Sequence, residues 1–317
     1  MTIENDKPMN VAVLGPGGVG GLLAALLARQ GDRVVCVARP STCERLNADG
    51  ISVRSKRFGE VKASVEAAPE LPFPVDVCFV AVKATELGSA LDRVSRGSVG
   101  NALIVPFLNG VEHIATLREK YGEAVVPATI RVEATRVSPG AIEQASPFAF
   151  IELALAGGDA AREHNIRSLA HHLAAAGLDV EIRSDEALML WGKLGFLAPL
   201  ALLTTHEKAT AGEVRAKHRP TLLRVVHEVA EVARAAGAPI DEQATLKLFD
   251  SVPESMQSSM QKDAAAGRAT EIEAIGGAIL RAAKRLGVEV PVTTKLVADI
   301  RKSQPETAGD VAGKRAN

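Results

Sequence analysis

The chain has 317 residues, a length that suggests two domains and is ample for a large buried core. Its 37 Lys and Arg against 38 Asp and Glu give a formal net charge of −1, and only 3% of residues are aromatic. That excludes the basic field and the stacking platforms of a nucleic-acid binder, and any general attraction to an anionic membrane.

At the N-terminus, MTIENDKPMN carries acids and no apolar core, so it does not read as a secretory signal. The longest uncharged apolar run, Leu194 to Thr205, falls short of the roughly 18 residues a spanning helix needs. Three cysteines, Cys36, Cys43 and Cys78, stand at unrelated spacings that make neither a disulfide framework nor a zinc site. The expectation is a soluble cytoplasmic protein without a metal centre.

Val11 to Leu14 is a short apolar run ending in glycines, the form of a buried parallel strand. Val19, Leu22, Leu23, Leu26 and Leu27 recur at helical spacing, and Gly31 closes that helix. Val34–Val37, Val75–Val82 and Ala102–Leu108 read as further strands, with helical stretches near 85–95 and 110–120. This alternation predicts a doubly wound parallel sheet. Residues 124–155, with the turn Ser138-Pro139-Gly140, predict antiparallel strands appended to that sheet. A helix near 160–176 and a strand at Val180–Ile182 follow. Ser184 caps the next helix, with Asp185 and Glu186 in its first turn. Beyond it the patterns are helical: 185–204, 219–237, 241–250, 267–287 and 292–302. The predicted organisation is an α/β Rossmann-type domain over 1–184 and an all-α domain over 185–317. Its tail, 303–317, reads as frayed.

Between the first strand and the first helix, Gly15-Pro-Gly17-Gly18-Val-Gly20 matches G-x-G-x-x-G in the context that gives this pattern meaning. Gly15 permits the tight turn, Gly17 lets the backbone approach a pyrophosphate, and Gly20 lets helix and strand pack closely. The helix N-terminus offers unpaired N–H groups to the anion. At the end of the second strand an NAD site would carry a carboxylate; here stands Arg39, suited to a 2′-phosphate. NADP(H) is therefore the expected cofactor. Lys83 lies on the same rim, either adding to the phosphate charge or simply solvated.

A hydride acceptor also needs a proton donor. The seven histidines show no site pattern, and His171-His172 reads as a solvated pair on a polar helix face. Lys193 lies in the apolar stretch Leu188-Met-Leu-Trp-Gly-Lys193-Leu-Gly-Phe-Leu. Its amine either snorkels out or is partly desolvated, which favours giving up its proton.

Several of these residues together resemble the 2-dehydropantoate 2-reductase (ketopantoate reductase) family over nearly the whole chain. They are Gly15-x-Gly17-x-x-Gly20, Arg39, Val82-Lys83-Ala84, Leu108-Asn109-Gly110, Trp191-x-Lys193-Leu194, Ser258-Ser259-Met260-Gln261-Lys262-Asp263, and Thr270-Glu271-Ile272-Glu273 leading to Gly276. The resemblance implies NADPH as hydride donor and Lys193 as general acid. It implies that Asn109 holds the geometry near the nicotinamide, Ser259 binds the substrate carboxylate, and Glu271 takes a substrate hydroxyl or steadies the lysine. Thr204 also agrees with the family, as a substrate-side hydroxyl. The chain departs from the family at Leu197 and Ala201, four and eight residues past the lysine, where two asparagines are usual. The implied reaction is reduction of 2-dehydropantoate to pantoate. Alternatives are a more apolar 2-oxo acid or ketone, or a non-catalytic NADP(H) sensor. The expected partner is a small-molecule substrate, with no nucleic acid and no membrane; a homodimer is left open.

Overall fold

The computed structural model describes residues 7–155 and 160–304. The chain forms two compact units, Met1–Leu108 with Glu112–Met189, and Asn109–Val111 with Leu190–Asn317. The division falls five residues beyond the one expected at 184, inside a helix, and three residues from far upstream join the second unit. Most of the tail expected to fray, residues 305–317, lies outside the described residues, as do residues 1–6; Ser303 itself ends a helix.

In chain order the first unit contains β1 (Asn10–Leu14), α1 (Gly18–Gln30), β2 (Arg33–Val37), α2 (Pro40–Asp49), β3 (Ile51–Ser55), β4 (Gly59–Ala63), β5 (Glu66–Ala68) and β6 (Val77–Val80). Then come α3 (Leu87–Leu91), α4 (Arg96–Val99), β7 (Leu103–Pro106), α5 (His113–Tyr121), β8 (Ala128–Arg131), β9 (Ala134–Ser138), β10 (Ala141–Gln144), β11 (Phe150–Ala154), α6 (Ala160–Ala175) and β12 (Asp179–Arg183). A five-stranded parallel sheet has the order β5-β2-β1-β6-β7. Its strands β6 and β7 are apolar and buried along their whole length, and β1 and β2 are so after their first residue, because both faces are covered. Val11 and Val13 join the core that includes the α1 leucines, whereas Ala12 and Leu14 point to the opposite core with Leu87, Leu91 and Leu117. After β1 the chain moves outward through β2 to β5, then returns to β6 on the other side of β1. That reversal opens a crevice at the carboxyl ends of the central strands, where ligands of such sheets bind.

The antiparallel pairings expected over 124–155 are present, but in sheets of their own. β9 and β10 pair across Ser138-Pro139-Gly140 and join β3 and β4 in a four-stranded sheet; β8, β11 and β12 form a three-stranded one. A single bridge, Ile104 to Val125, ties the segment before β8 to the parallel sheet. His172, expected in solvent, is buried on α6, with Nε2 2.7 Å from Asp32 Oδ2. Asp32 Oδ1 also accepts the Met9 N–H, so the pair fastens α6 to the entrance of β1.

α7 (Glu186–Glu207) begins within the first unit, and its cap is Asp185 rather than Ser184, since Asp185 Oδ1 accepts the Leu188 N–H. By length and composition alone α7 could cross a membrane. Two-thirds of its apolar window is buried inside the protein, which makes it a core helix. The second unit continues with α8 (Ala211–Lys217), α9 (Arg219–Ala235), α10 (Glu242–Ser251), α11 (Ser259–Ala265), α12 (Ala278–Leu286) and α13 (Pro291–Ser303). Leu222, Val225, Val226, Val229 and Val232 form the buried face of α9. On that face the Glu228 carboxylate accepts the N–H groups of Val292 and Thr293, capping α13 from a neighbouring helix.

Candidate active site

In the first unit the glycine loop has the shape its sequence requires. Gly15 turns at φ +89°, where a side chain is disfavoured, and a Cβ there would lie 2.5 Å from Val82 Cγ1. The Gly17 N–H closes the turn on the Gly15 carbonyl at 2.8 Å. A Cβ on Gly20 would come within 2.2 Å of the Gly15 carbonyl oxygen, so this glycine serves helix–strand packing. At Gly17, the N-cap of α1, a Cβ would meet nothing within 4 Å. Open space beside an uncapped helix N-terminus with no acid in its first turn fits a pyrophosphate. Gly18 has a further reason to be glycine, which sequence reasoning missed: a Cβ there would lie 2.1 Å from the Ala134 carbonyl oxygen of β9.

Arg39 follows β2 and is the N-cap of α2, with a largely exposed side chain. Its Nη2 donates to Glu86 Oε1 at 2.5 Å. Glu86 ends the short 3₁₀ turn that starts just after Lys83, at the carboxyl end of β6. The sequence reading found the arginine and the lysine but not the acid that pairs with the arginine.

The remaining candidates belong to the second unit. Asn109 Nδ2 donates to Glu271 Oε2 at 2.9 Å, across 162 residues of sequence. The approach depends on Gly110, at φ +86°, where a Cβ would lie 2.2 Å from the Ala274 carbonyl oxygen. Glu271 is buried at the start of a helical segment whose first turn, Glu273–Gly277, is a π turn leading into α12. Such turns are rare and concentrate at functional sites. Lys193 is half-buried on α7, and so is Leu197 one turn later.

Thr204 and Ala201 are fully buried and expose no surface to a ligand. The Thr204 hydroxyl donates to the Leu200 carbonyl at 2.7 Å and stands 2.8 Å from Ser258 Oγ. With the Thr204 proton committed, Ser258 donates to it and accepts the Gln261 N–H, capping α11. Thr204 thus holds a helix cap rather than a substrate, a correction to its expected role. Ser259, the first residue of α11, is exposed. Among the described residues, His227, Glu231 and Glu242 have ligand atoms within 4.8 Å of one another. Arg234 already pairs with both carboxylates of that trio.

A pyrophosphate-shaped glycine loop on a doubly wound sheet, with a half-buried lysine and a hydrogen-bonded asparagine and glutamate on a helical unit, defines a nicotinamide-dependent oxidoreductase. The model for ketopantoate reductase PanE/ApbA matches residues 11–154, and that for its C-terminal domain matches residues 186–304. The 2-dehydropantoate 2-reductase of Mycobacterium tuberculosis (strain H37Rv) is 30% identical over 293 residues, covering 90% of this chain and 95% of that protein. A crystal structure of a PanE/ApbA family ketopantoate reductase from Ralstonia eutropha JMP134 superposes with a TM-score of 0.82 at 28% identity, over 93% of this chain and 98% of that one. D-mandelate dehydrogenase, in a ternary structure with NADH and anilino(oxo)acetate, superposes with a TM-score of 0.85, over 93% and 98% of the two chains. At 21% identity that likeness shows the fold alone. The chain belongs to the ketopantoate reductase family, whose members use NADPH to reduce 2-oxo acids.

Proposed function

We propose that the chain reduces 2-dehydropantoate to pantoate with NADPH. The observation that carries the reading is the Asn109–Glu271 hydrogen bond, which fixes a buried carboxylate in the helical unit that also carries Lys193 and Ser259. When bound, NADPH would supply a hydride for the substrate's C2 carbon. The Lys193 ammonium gives a proton to the oxygen of that carbonyl, so the hydride and the proton together make the 2-hydroxy acid. The exposed Ser259 hydroxyl donates to the substrate carboxylate. Glu271, oriented by the Asn109 amide, accepts from the substrate hydroxyl or from the lysine. Gly17 and the α1 N-terminus would hold the NADPH pyrophosphate, and Arg39 with Lys83 would bind its 2′-phosphate. A sensor that only bound NADP(H) would have no use for the lysine and its companions, which argues for the enzyme.

One observation favours a second substrate. Leu197 lies on the stripe of α7 that carries Lys193, where an asparagine is usual in the family, and its half-buried side chain cannot hydrogen-bond. Ala201 is buried too deeply to line a pocket, so the argument for an apolar wall rests on Leu197. An unmet substrate hydroxyl costs about 1–3 kcal/mol. The fold admits such a ligand, since the mandelate dehydrogenase structure holds an aryl-substituted oxo acid. The test is kcat/KM for 2-dehydropantoate against 3,3-dimethyl-2-oxobutanoate, the same carbon skeleton without the hydroxyl. A preference for 2-dehydropantoate of about a hundredfold or more supports the biosynthetic reading, because sites built to bond a hydroxyl discriminate strongly. Equal or reversed rates, with preference restored by Leu197→Asn, support the apolar substrate.

A further inference from the structure

Glu271 stands two residues before the π turn, and the bonding around that turn is not explained by packing alone. A π turn replaces the ordinary i+4 pairing with i+5 bonds, a rare geometry inside a helix. Here the Glu273 carbonyl accepts from Arg281 Nη2 at 2.6 Å. The Glu273 carboxylate is held at the same time from α13, by Arg301 Nε at 2.7 Å and Arg301 Nη2 at 2.9 Å, and by Arg281 Nη1 at 3.1 Å. Two adjacent glycines make room for this arrangement. A Cβ on Gly277 would lie 2.5 Å from Glu273 Oε2 and 2.9 Å from Arg281 Nη1, so the ion pair lies directly over that glycine. A Cβ on Gly276 would lie 2.5 Å from Val297 Cγ2 of α13 and 3.1 Å from Leu202 Cδ2 of α7. The same turn therefore seats against two helices through Gly276, and against the Asn109-Gly110 segment through the Ala274 carbonyl.

We infer that Arg281 and Arg301, through Glu273, are positioning residues that hold the π turn and thereby set the direction of the Glu271 carboxylate toward Asn109 and the substrate. The bonds of both arginines converge on Glu273, two residues along the backbone from Glu271. Fork-shaped, bidentate donation to a carboxylate fixes direction as well as distance, which a lysine cannot reproduce. Exposed ion pairs contribute little to global stability, so a conserved fold with altered catalysis is the expected signature of their loss. The inference rests on the role given to Glu271 above.

The experiment is a set of steady-state double-mutant cycles in the full chain, with Arg301→Ala and Arg281→Ala each made alone and in a Glu271→Gln background. NADPH dissociation constant and thermal midpoint are measured on every protein. The expected result is a fall in kcat of about 10–100-fold for each arginine variant, the scale of a misplaced reacting group. NADPH affinity should not change, Arg301→Lys should recover part of the rate, and neither substitution should add to the loss in the Glu271→Gln background. Wild-type kcat in the arginine variants, with Glu271→Gln impaired, overturns the positioning role and leaves the role of Glu271 intact. Equal fold-losses in both backgrounds also overturn it, since a merely structural contribution would be additive. Full activity in Glu271→Gln itself overturns both readings. Should Arg301→Ala fail to fold, Glu273→Gln reports on the same clamp and is judged by the same criteria.

Discussion

At the scale of single residues, the role proposed for Arg39 makes its ion pair with Glu86 a determinant of cofactor choice. Arg39 stands where a carboxylate would hold an NAD ribose, and its guanidinium is already engaged at 2.5 Å. On the proposed role, a 2′-phosphate competes with Glu86 for the same donor. Exposed pairs of this kind are worth about 0.2–1 kcal/mol, so Glu86→Gln should tighten NADPH by up to about fivefold and leave NADH nearly unchanged. Arg39→Asp should abolish or reverse the preference for NADPH, because a charge-assisted bond is lost and repulsion added. Titration of both cofactors against the three proteins measures this. Equal affinity of the unmodified protein for NADPH and NADH would sink the argument from Arg39. The arginine was legible in the sequence because its place follows from the strand pattern; Glu86 was not, because 47 residues separate the partners. The Ser258-Ser259 pair is likewise ambiguous in register from sequence alone. Two adjacent serines satisfy the same capping pattern, and only the Thr204 hydroxyl behind them shows that Ser258 is the cap.

At the scale of elements, the three-stranded sheet is pinned by one buried acid. Glu152, at the centre of β11, accepts from Thr129 on β8 at 2.8 Å, Arg131 on β8 at 2.6 Å and Arg183 on β12 at 2.8 Å. Burial alone would push its carboxyl up, but Arg131, the Thr129 hydroxyl and Arg183 outweigh that and hold it below the ordinary carboxylate value. A carboxyl depressed in the folded state contributes stability that is present above its unfolded pKa and disappears as pH falls through the folded one. Glu152→Gln should therefore destabilise the protein by about 1.5–3 kcal/mol at neutral pH, the usual worth of hydrogen bonds to a charged group. The penalty should shrink as pH drops below about 4.3. Thermal unfolding across that range is the check, and a penalty that grows in acid contradicts the account. The sequence announced β11 and β12 as strands, yet it did not say that they leave the parallel sheet. Strand existence is written in local alternation, while sheet membership depends on partners such as β3 and β10, which lie about ninety residues apart. Residues 40–70, where α2 and β3 to β5 alternate over short spans, gave no periodic signal long enough to read.

At the scale of the whole molecule, the parallel sheet and the helical second unit were legible because each rests on periodicities sustained over many residues, with Gly15 and Gly31 punctuating the first helix. The grouping of Asn109–Val111 with the second unit was not, since it arises from Gly110 against Ala274 and from the Asn109–Glu271 bond. Nor did the sequence show how deeply α7 is buried, with two-thirds of its apolar window inside the protein. Lys193 interrupts that apolar helix and is the group to which the account assigns the proton. The most direct test is Lys193→Ala, with turnover of the 2-oxo acid and NADPH affinity measured on the same preparation. Loss of general-acid help should lower kcat by about 10²–10⁴-fold while the NADPH dissociation constant stays within about twofold, since the glycine loop and Arg39 are untouched. A Lys193→Ala protein that turns over at the unmodified rate would contradict the account, and would reduce the lysine to a structural element of α7.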